Sequence, residues 1–227
     1  MGTQPRIAID GPAGVGKSTI GERLAKRLGV PYVDTGAFYR TLTRMALKLG
    51  IAPEDGAALS ALARRLDIAI VPPLVPDGHA YTVLVDGVDV TPELRLPAVE
   101  AAVSQVSRHP AVREALIARM RALAGARGVV MVGRDIGTVV LPDADVKIYL
   151  TTSLEERAQR RHADLVALYG AAAPTLAEVR DDISQRDAKD AAQMHPAPDA
   201  IGIKNDHLEA GEVVERILEL LAERWKN

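Results

Sequence analysis

The chain has 227 residues, enough for one large domain or one domain with insertions, and its 48 % apolar and 26 % charged residues mark an ordinary globular protein that buries a core without staples. Lys plus Arg number 28 against 30 Asp plus Glu, a net charge of −2, which argues against bulk electrostatic binding to nucleic acid. The absence of cysteine excludes disulfides, Cys-ligated zinc, iron–sulfur clusters and a thiol nucleophile; no apolar run approaches the roughly 18 residues of a membrane span and no signal-peptide segment is seen, so the expectation is a cytoplasmic protein.

In chain order, Arg6 to Asp10 reads as a short apolar strand ending at Gly11. From Ser18 to Leu28 the residues Ile20, Leu24, Ala25 and Leu28 recur at helical spacing, and Gly29 closes the helix. A second strand is expected from Val30 to Thr35, stopping at Gly36, and a helix from Tyr39 to Leu49. Residues 68–90 break the rhythm: Ile68 to Val71, a Pro- and Gly-rich connection, Tyr81 to Val85, then Asp86-Gly87 and Val88 to Val90. Asp-Gly between two apolar runs is a hairpin signal, so a small antiparallel insertion is expected. Val129 to Val132 and Val146 to Leu150 are compact apolar strands of the kind buried on both faces. Residues 154–192 are helical and highly charged with a break from Gly170 to Pro174, a helix–turn–helix lying over something. A weaker strand from Ala200 to Lys204 and a helix from Gly211 to Trp225 follow. Strands alternating with helices indicate a parallel sheet covered on both sides.

Gly11-Pro12-Ala13-Gly14-Val15-Gly16-Lys17-Ser18 matches G-x-x-x-x-G-K-[ST] and sits between a strand and a helix. Glycines let the backbone wrap a phosphate with its N–H groups pointing inward, and the following helix aims its positive end at the same anion. Lys17 reaches the β and γ phosphates, and Ser18 can ligate Mg²⁺. Such a loop suits a small-molecule kinase, a GTPase switch or an ATPase motor. The guanine-reading N-K-x-D is missing, since Lys204-Asn205-Asp206 has the wrong order. The motor's strand ending in Asp is missing too, because Val132 is followed by Gly133-Arg134-Asp135. A basic residue beside the phosphate strand suits an enzyme holding a second phosphate, and Arg157, Arg160 and Arg161 on the charged hairpin suit a lid. A kinase for a different acceptor, such as UMP or a non-nucleotide alcohol, and a non-catalytic nucleotide sensor remain alternatives on these residues alone.

Further strings carry a resemblance. Asp34-Thr35-Gly36-Ala37-Phe38-Tyr39-Arg40, Ser104-Gln105-Val106, Pro110-Ala111-Val112-Arg113, Gly133-Arg134-Asp135-Ile136-Gly137-Thr138, and Arg186-Asp187 with Asp190 join the loop Gly11 to Thr19. Nearly end to end, the chain resembles the bacterial cytidylate kinases of the nucleoside monophosphate kinase group. The resemblance implies an α/β fold: a P-loop NTPase three-layer αβα core with a five-stranded parallel sheet, a small antiparallel insertion and a helical lid. It implies one domain, with a monophosphate-binding part at about 36–110 and a lid at about 155–185. It implies transfer of the γ-phosphoryl of ATP to CMP or dCMP with Mg²⁺, by a monomer whose partners are these small nucleotides and neither nucleic acid nor membrane.

By position, the resemblance puts Thr35, Arg40 and Arg134 at the monophosphate, Ser104, Arg113 and Asp135 at cytosine, and Arg186 and Asp190 at the sugar. It puts Arg157, Arg160 and Arg161 at the ATP phosphates, with Lys17, Arg134, Arg157 and Arg161 as the catalytic cations. Cytosine shows an amine donor beside acceptors, so Asp135 accepting and Arg113 donating make a complementary edge. Two departures stand out. Val132 replaces an acidic residue before G-R-D, so a carboxylate helping the metal is either missing or supplied by another residue such as Asp10 or Asp34, and Gln193 replaces an Arg after Asp190. If 186–193 is helical, Arg186, Asp190 and Gln193 share a face with Lys189 alongside. The five histidines show no metal-ligand spacing, and no metal ligand is expected among them.

Overall fold

The computed structural model describes residues 4–76, 79–125 and 128–224. The chain forms two compact units, one built from the chain up to Tyr32 with the described residues from 128 onward, the other from Val33–Gly125.

The first unit begins with β1 (Arg6–Asp10), whose Ile7, Ala8 and Ile9 are all buried, as a strand covered on both faces requires. The loop that follows leads into α1 (Lys17–Leu28), which buries Ile20, Gly21, Leu24 and Ala25 and ends on Gly29 in the left-handed conformation. β6 (Val129–Gly133) pairs in parallel with β1 on one side, and β7 (Val146–Thr151) on the other. β8 (Ile201–Lys204) extends the sheet beyond β7, and α8 (Ala210–Arg224) packs on α1. With β2 (Tyr32–Asp34), which straddles the boundary of the two units, the sheet order is β2-β6-β1-β7-β8. Ile7, Ile9, Leu24, Val130, Ile148 and Ile217 centre its core.

Between β7 and β8 stand the two charged helices, α6 (Leu154–Tyr169) and α7 (Leu176–Asp190), separated by a 3₁₀ turn at Gly170–Ala172. They have a small core of their own in Ala158, Val179 and Ile183. Thr175 and Glu178 form a reciprocal capping box that restarts the chain as α7 after Pro174. The α-helix does not run on to residue 193: it gives way to a 3₁₀ turn at Ala191–Gln193, so the expected seven-residue spacing of Arg186 and Gln193 on one α-helical face does not form.

The second unit holds α2 (Thr35–Lys48), α3 (Gly56–Arg65), α4 (Pro97–Val106) and α5 (Pro110–Ala124), with α2 packed on α4 and α3 on α5. Its separate sheet joins β3 (Ile68–Val71), β4 (Thr82–Val85) and β5 (Val88–Asp89), all antiparallel. Asp86 and Gly87 both have positive φ, 50° and 80°, and close the hairpin with Val85 opposite Val88, as the Asp-Gly signal predicts. The second strand is shorter than its pattern predicts. Asp34 accepts from the Gly36 N–H at 2.9 Å, and this cap starts α2 at Thr35 instead of prolonging the strand. The last helix is expected to reach Trp225, which lies outside the described residues.

The α/β core with its five-stranded sheet, antiparallel insertion and helical hairpin matches the expected fold class. Among the described residues no helix is long and apolar enough to cross a membrane.

Candidate active site

The loop Gly11 to Gly16 is shaped by two positions. A Cβ at Gly11 would stand 2.4 Å from the Leu150 carbonyl oxygen, with φ at +149°, so this turn admits no side chain. Gly16, at φ 90°, is the N-cap of α1 and supplies no capping side chain, which leaves the first N–H groups of the helix for an anion. Val15 points inward and is fully buried, whereas Ser18 and Thr19 are exposed.

Cations gather on the carbonyls of this loop. The Lys17 ammonium donates to the Gly11 and Pro12 carbonyls at 2.8 and 2.6 Å. Arg134, one residue past the end of β6, donates to the Gly11 carbonyl at 3.0 Å. Its Nε and Nη2 grip one Asp190 oxygen at 3.2 and 3.1 Å. Burial lowers the Arg134 pKa from its ordinary value, the Asp190 charge opposes that, and Arg186 adds to it. Arg157 on α6 is buried and donates to the Ala13 carbonyl at 3.1 Å while pairing with Asp187 of α7 at 2.7 Å. Arg160, one turn on, donates to Glu156 and to the Asn205 carbonyl at 3.0 Å. Arg161 follows it, half-buried, and Arg186 approaches Asp190 at 4.0 Å.

Asp10 closes β1 with 3 % exposure and organises the G-R-D-I-G-T segment. Its two oxygens accept from the Ile136 and Gly137 N–H groups at 2.7 and 2.8 Å. Burial pushes its pKa up to about 6; those two N–H bonds and the Lys17 charge work the other way, and the Asp135 charge adds to the rise. The segment turns as one π-helical turn at Ile136–Val140, with Asp135 buried at its N-cap. π turns are rare and are frequent at functional sites. Val132, at the position of the first departure, is buried in the core. Both Asp10 oxygens are engaged in the turn.

In the second unit Arg40 is buried on α2 and pairs with Asp34 at 2.8 Å. The Tyr81 hydroxyl donates to the same Asp34 oxygen at 3.0 Å. Burial works against the Asp34 charge, but the Arg40 guanidinium, with Arg95 and Tyr81, outweighs it and holds the carboxyl below the usual range. The Arg95 pKa is lowered, first by the Arg40 charge and then by burial. Thr35 is buried at the first position of α2, and Ser104 is buried on α4. Arg113 on α5 lies over the Tyr39 ring, 5.8 Å from its centroid.

The structure thus gathers Lys17, Arg134, Arg157, Arg160, Arg186 and Asp190 with the loop in one unit, and Arg40 with Asp34 in the other. Asp187, Asn205, Tyr81 and Arg95 belong to these clusters, and sequence reading gives none of them a role. Asp187 alone has a signal, since it stands in the Arg186-Asp187 string that carries the resemblance.

The family model described as cytidylate kinase matches residues 7–223. The chain is 52 % identical over 220 residues to the cytidylate kinase of Roseiflexus castenholzii, covering 96 % of this chain and 94 % of that one. It is 49 % identical over 222 residues to that of Geobacillus kaustophilus, covering 96 % of each. A solved structure of an uncharacterized protein from Eubacterium ventriosum shares the fold, with a TM-score of 0.53 at 12 % identity, covering 97 % of this chain and 99 % of that one.

Proposed function

This chain belongs to the cytidylate kinase family, and from that premise we propose how its own residues carry out the reaction. It transfers the γ-phosphoryl group of ATP to CMP or dCMP, giving ADP and CDP or dCDP. Phosphoryl transfer asks little covalent work of a protein; it asks for alignment and for cations around a spread negative charge. The observation that carries the reading is the convergence of Lys17, Arg134 and Arg157 on the carbonyls of Gly11, Pro12 and Ala13.

In this reading the loop backbone and the start of α1 take the ATP phosphates. Lys17 follows the transferring group, while Arg157, Arg160 and Arg161 bring charge from the hairpin, residues at about 155–185 serving as a lid. Residues at about 36–110 form the monophosphate-binding part. Thr35, Arg40 and Arg134 take the acceptor phosphate, Ser104, Arg113 and Asp135 the cytosine edge, and Arg186 and Asp190 the sugar. Lid closure excludes water, which would otherwise accept the phosphoryl group.

Mg²⁺ fits the residues present. Ser18 offers one hard hydroxyl oxygen at the start of α1, and no three His, Asp or Glu of the described residues gather into a protein cage. An ion that binds through substrate phosphates and keeps several waters needs no more. Bound with ATP, it would supply neutralisation of the phosphate charge, with Ser18 as the residue to hold it. We take the protein to act as a cytoplasmic monomer on these small nucleotides.

The test is ADP release with ATP and a panel of CMP, dCMP, UMP and simple alcohols. Turnover with CMP or dCMP about ten-fold or more above UMP is expected, because uracil places an oxygen where the Asp135 carboxylate calls for a donor. Equal use of UMP, or ATP binding with no acceptor-stimulated turnover, refutes it.

A further inference from the structure

Asn205 follows β8 and is 1 % exposed. Its main-chain N–H donates to the Thr151 carbonyl at 2.9 Å, which carries the ladder one residue past the strand. Its side chain is used at both ends. Nδ2 donates to the Val15 carbonyl at 2.8 Å, and Oδ1 accepts from the Thr152 hydroxyl. Its own carbonyl accepts from Arg160. Next to it, Asp206 accepts from the Ser153 N–H at 3.0 Å, where α6 begins. One buried amide therefore joins the phosphate loop to the β7–α6 junction, and the same residue's backbone holds an arginine of α6.

The Val15 bond matters because a trans peptide is planar, with its carbonyl and N–H pointing opposite ways. No cis peptide occurs among the described residues. Drawing the Val15 carbonyl inward to Asn205 turns the Gly16 N–H away from it, toward the open side of the loop. The geometry points to Asn205 as a positioning residue for ATP, one that sets the Val15–Gly16 peptide so that the Gly16 N–H faces the phosphates and that stations Arg160 beside them. This rests on reading the loop as the ATP site. Without the amide donor the peptide is free to turn, and ATP binding has to supply the cost of ordering it.

The variants are Asn205→Ala, Asn205→Asp and the milder Thr152→Val, each in the whole chain. Calorimetric binding of ATP alone reads the inference, and the KM values for ATP and CMP read it again. Loss of one partner for a buried carbonyl predicts ATP affinity weaker by about five- to thirty-fold in Asn205→Ala, at every pH. The KM for CMP should stay within about two-fold, since no lost hydrogen bond serves that site. Asn205→Asp keeps the shape but offers a carboxylate to the Val15 carbonyl. Its ATP affinity should be poorest at high pH and recover as pH falls, when the protonated carboxyl regains a donor. Thr152→Val should move ATP affinity the same way by about two- to five-fold.

A packing role alone would lower the melting temperature without separating ATP from CMP and without the acid recovery. A folded Asn205→Asp that binds ATP as wild type does across pH, or variants whose two KM values rise together, overturn the inference. Wild-type protein that binds ATP but does not turn over CMP overturns the function reading instead, and ATP binding by the variants still decides the role of Asn205.

Discussion

Replacing Asp10 by asparagine should change stability by an amount that depends on pH. In the folded protein burial raises the Asp10 pKa from 3.8 to about 6. That rise corresponds to about 3 kcal/mol between the protonation states. The folded chain binds this proton more tightly than the unfolded chain, so the Asp10 contribution to stability falls as pH rises from about 4 to about 6 and is flat above. The neutral amide of the variant would escape that cost. It would, however, present one oxygen and one NH₂ group to two N–H donors, those of Ile136 and Gly137. One donor would face a donor, at a cost of about 1–3 kcal/mol.

The two effects oppose each other, and pH decides which wins. Near pH 4.5 the variant should be the less stable protein. Near pH 8 the difference should close or reverse, with about 2 kcal/mol of movement between these limits. Urea denaturation followed by circular dichroism, on both proteins at each pH, measures it. Subtracting the two curves cancels the other carboxylates and the histidines. A difference that does not vary with pH would show that Asp10 titrates normally and that its burial carries no ionic cost.

Three further outcomes are expected. Lys17→Ala should fold, still bind phosphate through the loop backbone, and lose about 10²–10³-fold in turnover, measured as ADP release; activity within a few-fold of wild type would remove Lys17 from the chemistry. Asp135→Asn should lower CMP turnover and narrow the CMP-to-UMP preference by about ten-fold, because an amide can donate to the uracil oxygen; an unchanged preference with both rates reduced would assign Asp135 to phosphate or metal instead. Gly21→Ala should lower stability by about 1–3 kcal/mol through overpacking, seen as a lower urea midpoint, since the new methyl would lie 2.6 Å from Val132 and 3.0 Å from the Tyr32 ring.

What is legible in the chain is local. The phosphate loop, the Asp86-Gly87 hairpin and the break after Gly170 each rest on residues within one turn of each other, where backbone preference alone decides. The start of α2 departs from its pattern because apolar content favours a longer strand while one side chain, Asp34, caps the helix earlier. The run to Gln193 does not hold because a spacing argument assumes an unbroken α-helix, and α7 tightens into a 3₁₀ turn after Asp190. The bonds from Asn205 to Val15 and from Arg157 to Asp187 join residues far apart in sequence, and no local pattern announces them. Family resemblance implies roles for Arg40, Arg134 and Asp190, but not the pairing by which the Asp34 and Asp190 carboxylates orient the two guanidiniums.

Those carboxylates explain why buried charge is tolerated here. A buried ion pair contributes little net stability, because desolvating both ions offsets their attraction. Asp34 is nevertheless anchored twice, by the Gly36 N–H and the Tyr81 hydroxyl, before it meets Arg40. Arg40 in turn lies so close to the start of α2 that a Cβ at Gly36 would approach its Nη1 to 2.9 Å. The Asp-Thr-Gly string therefore reads as a mount: a carboxylate fixed by backbone, and a glycine that makes room for the guanidinium. Arg134 is mounted likewise, with Nε and Nη2 on Asp190 and Nη1 directed to the loop carbonyl of Gly11. A guanidinium has five donors in a rigid fork, so one edge can be gripped while others remain for a phosphate. Lysine in either place would keep the charge but lose the second edge, and with it the alignment of the acceptor phosphate proposed above.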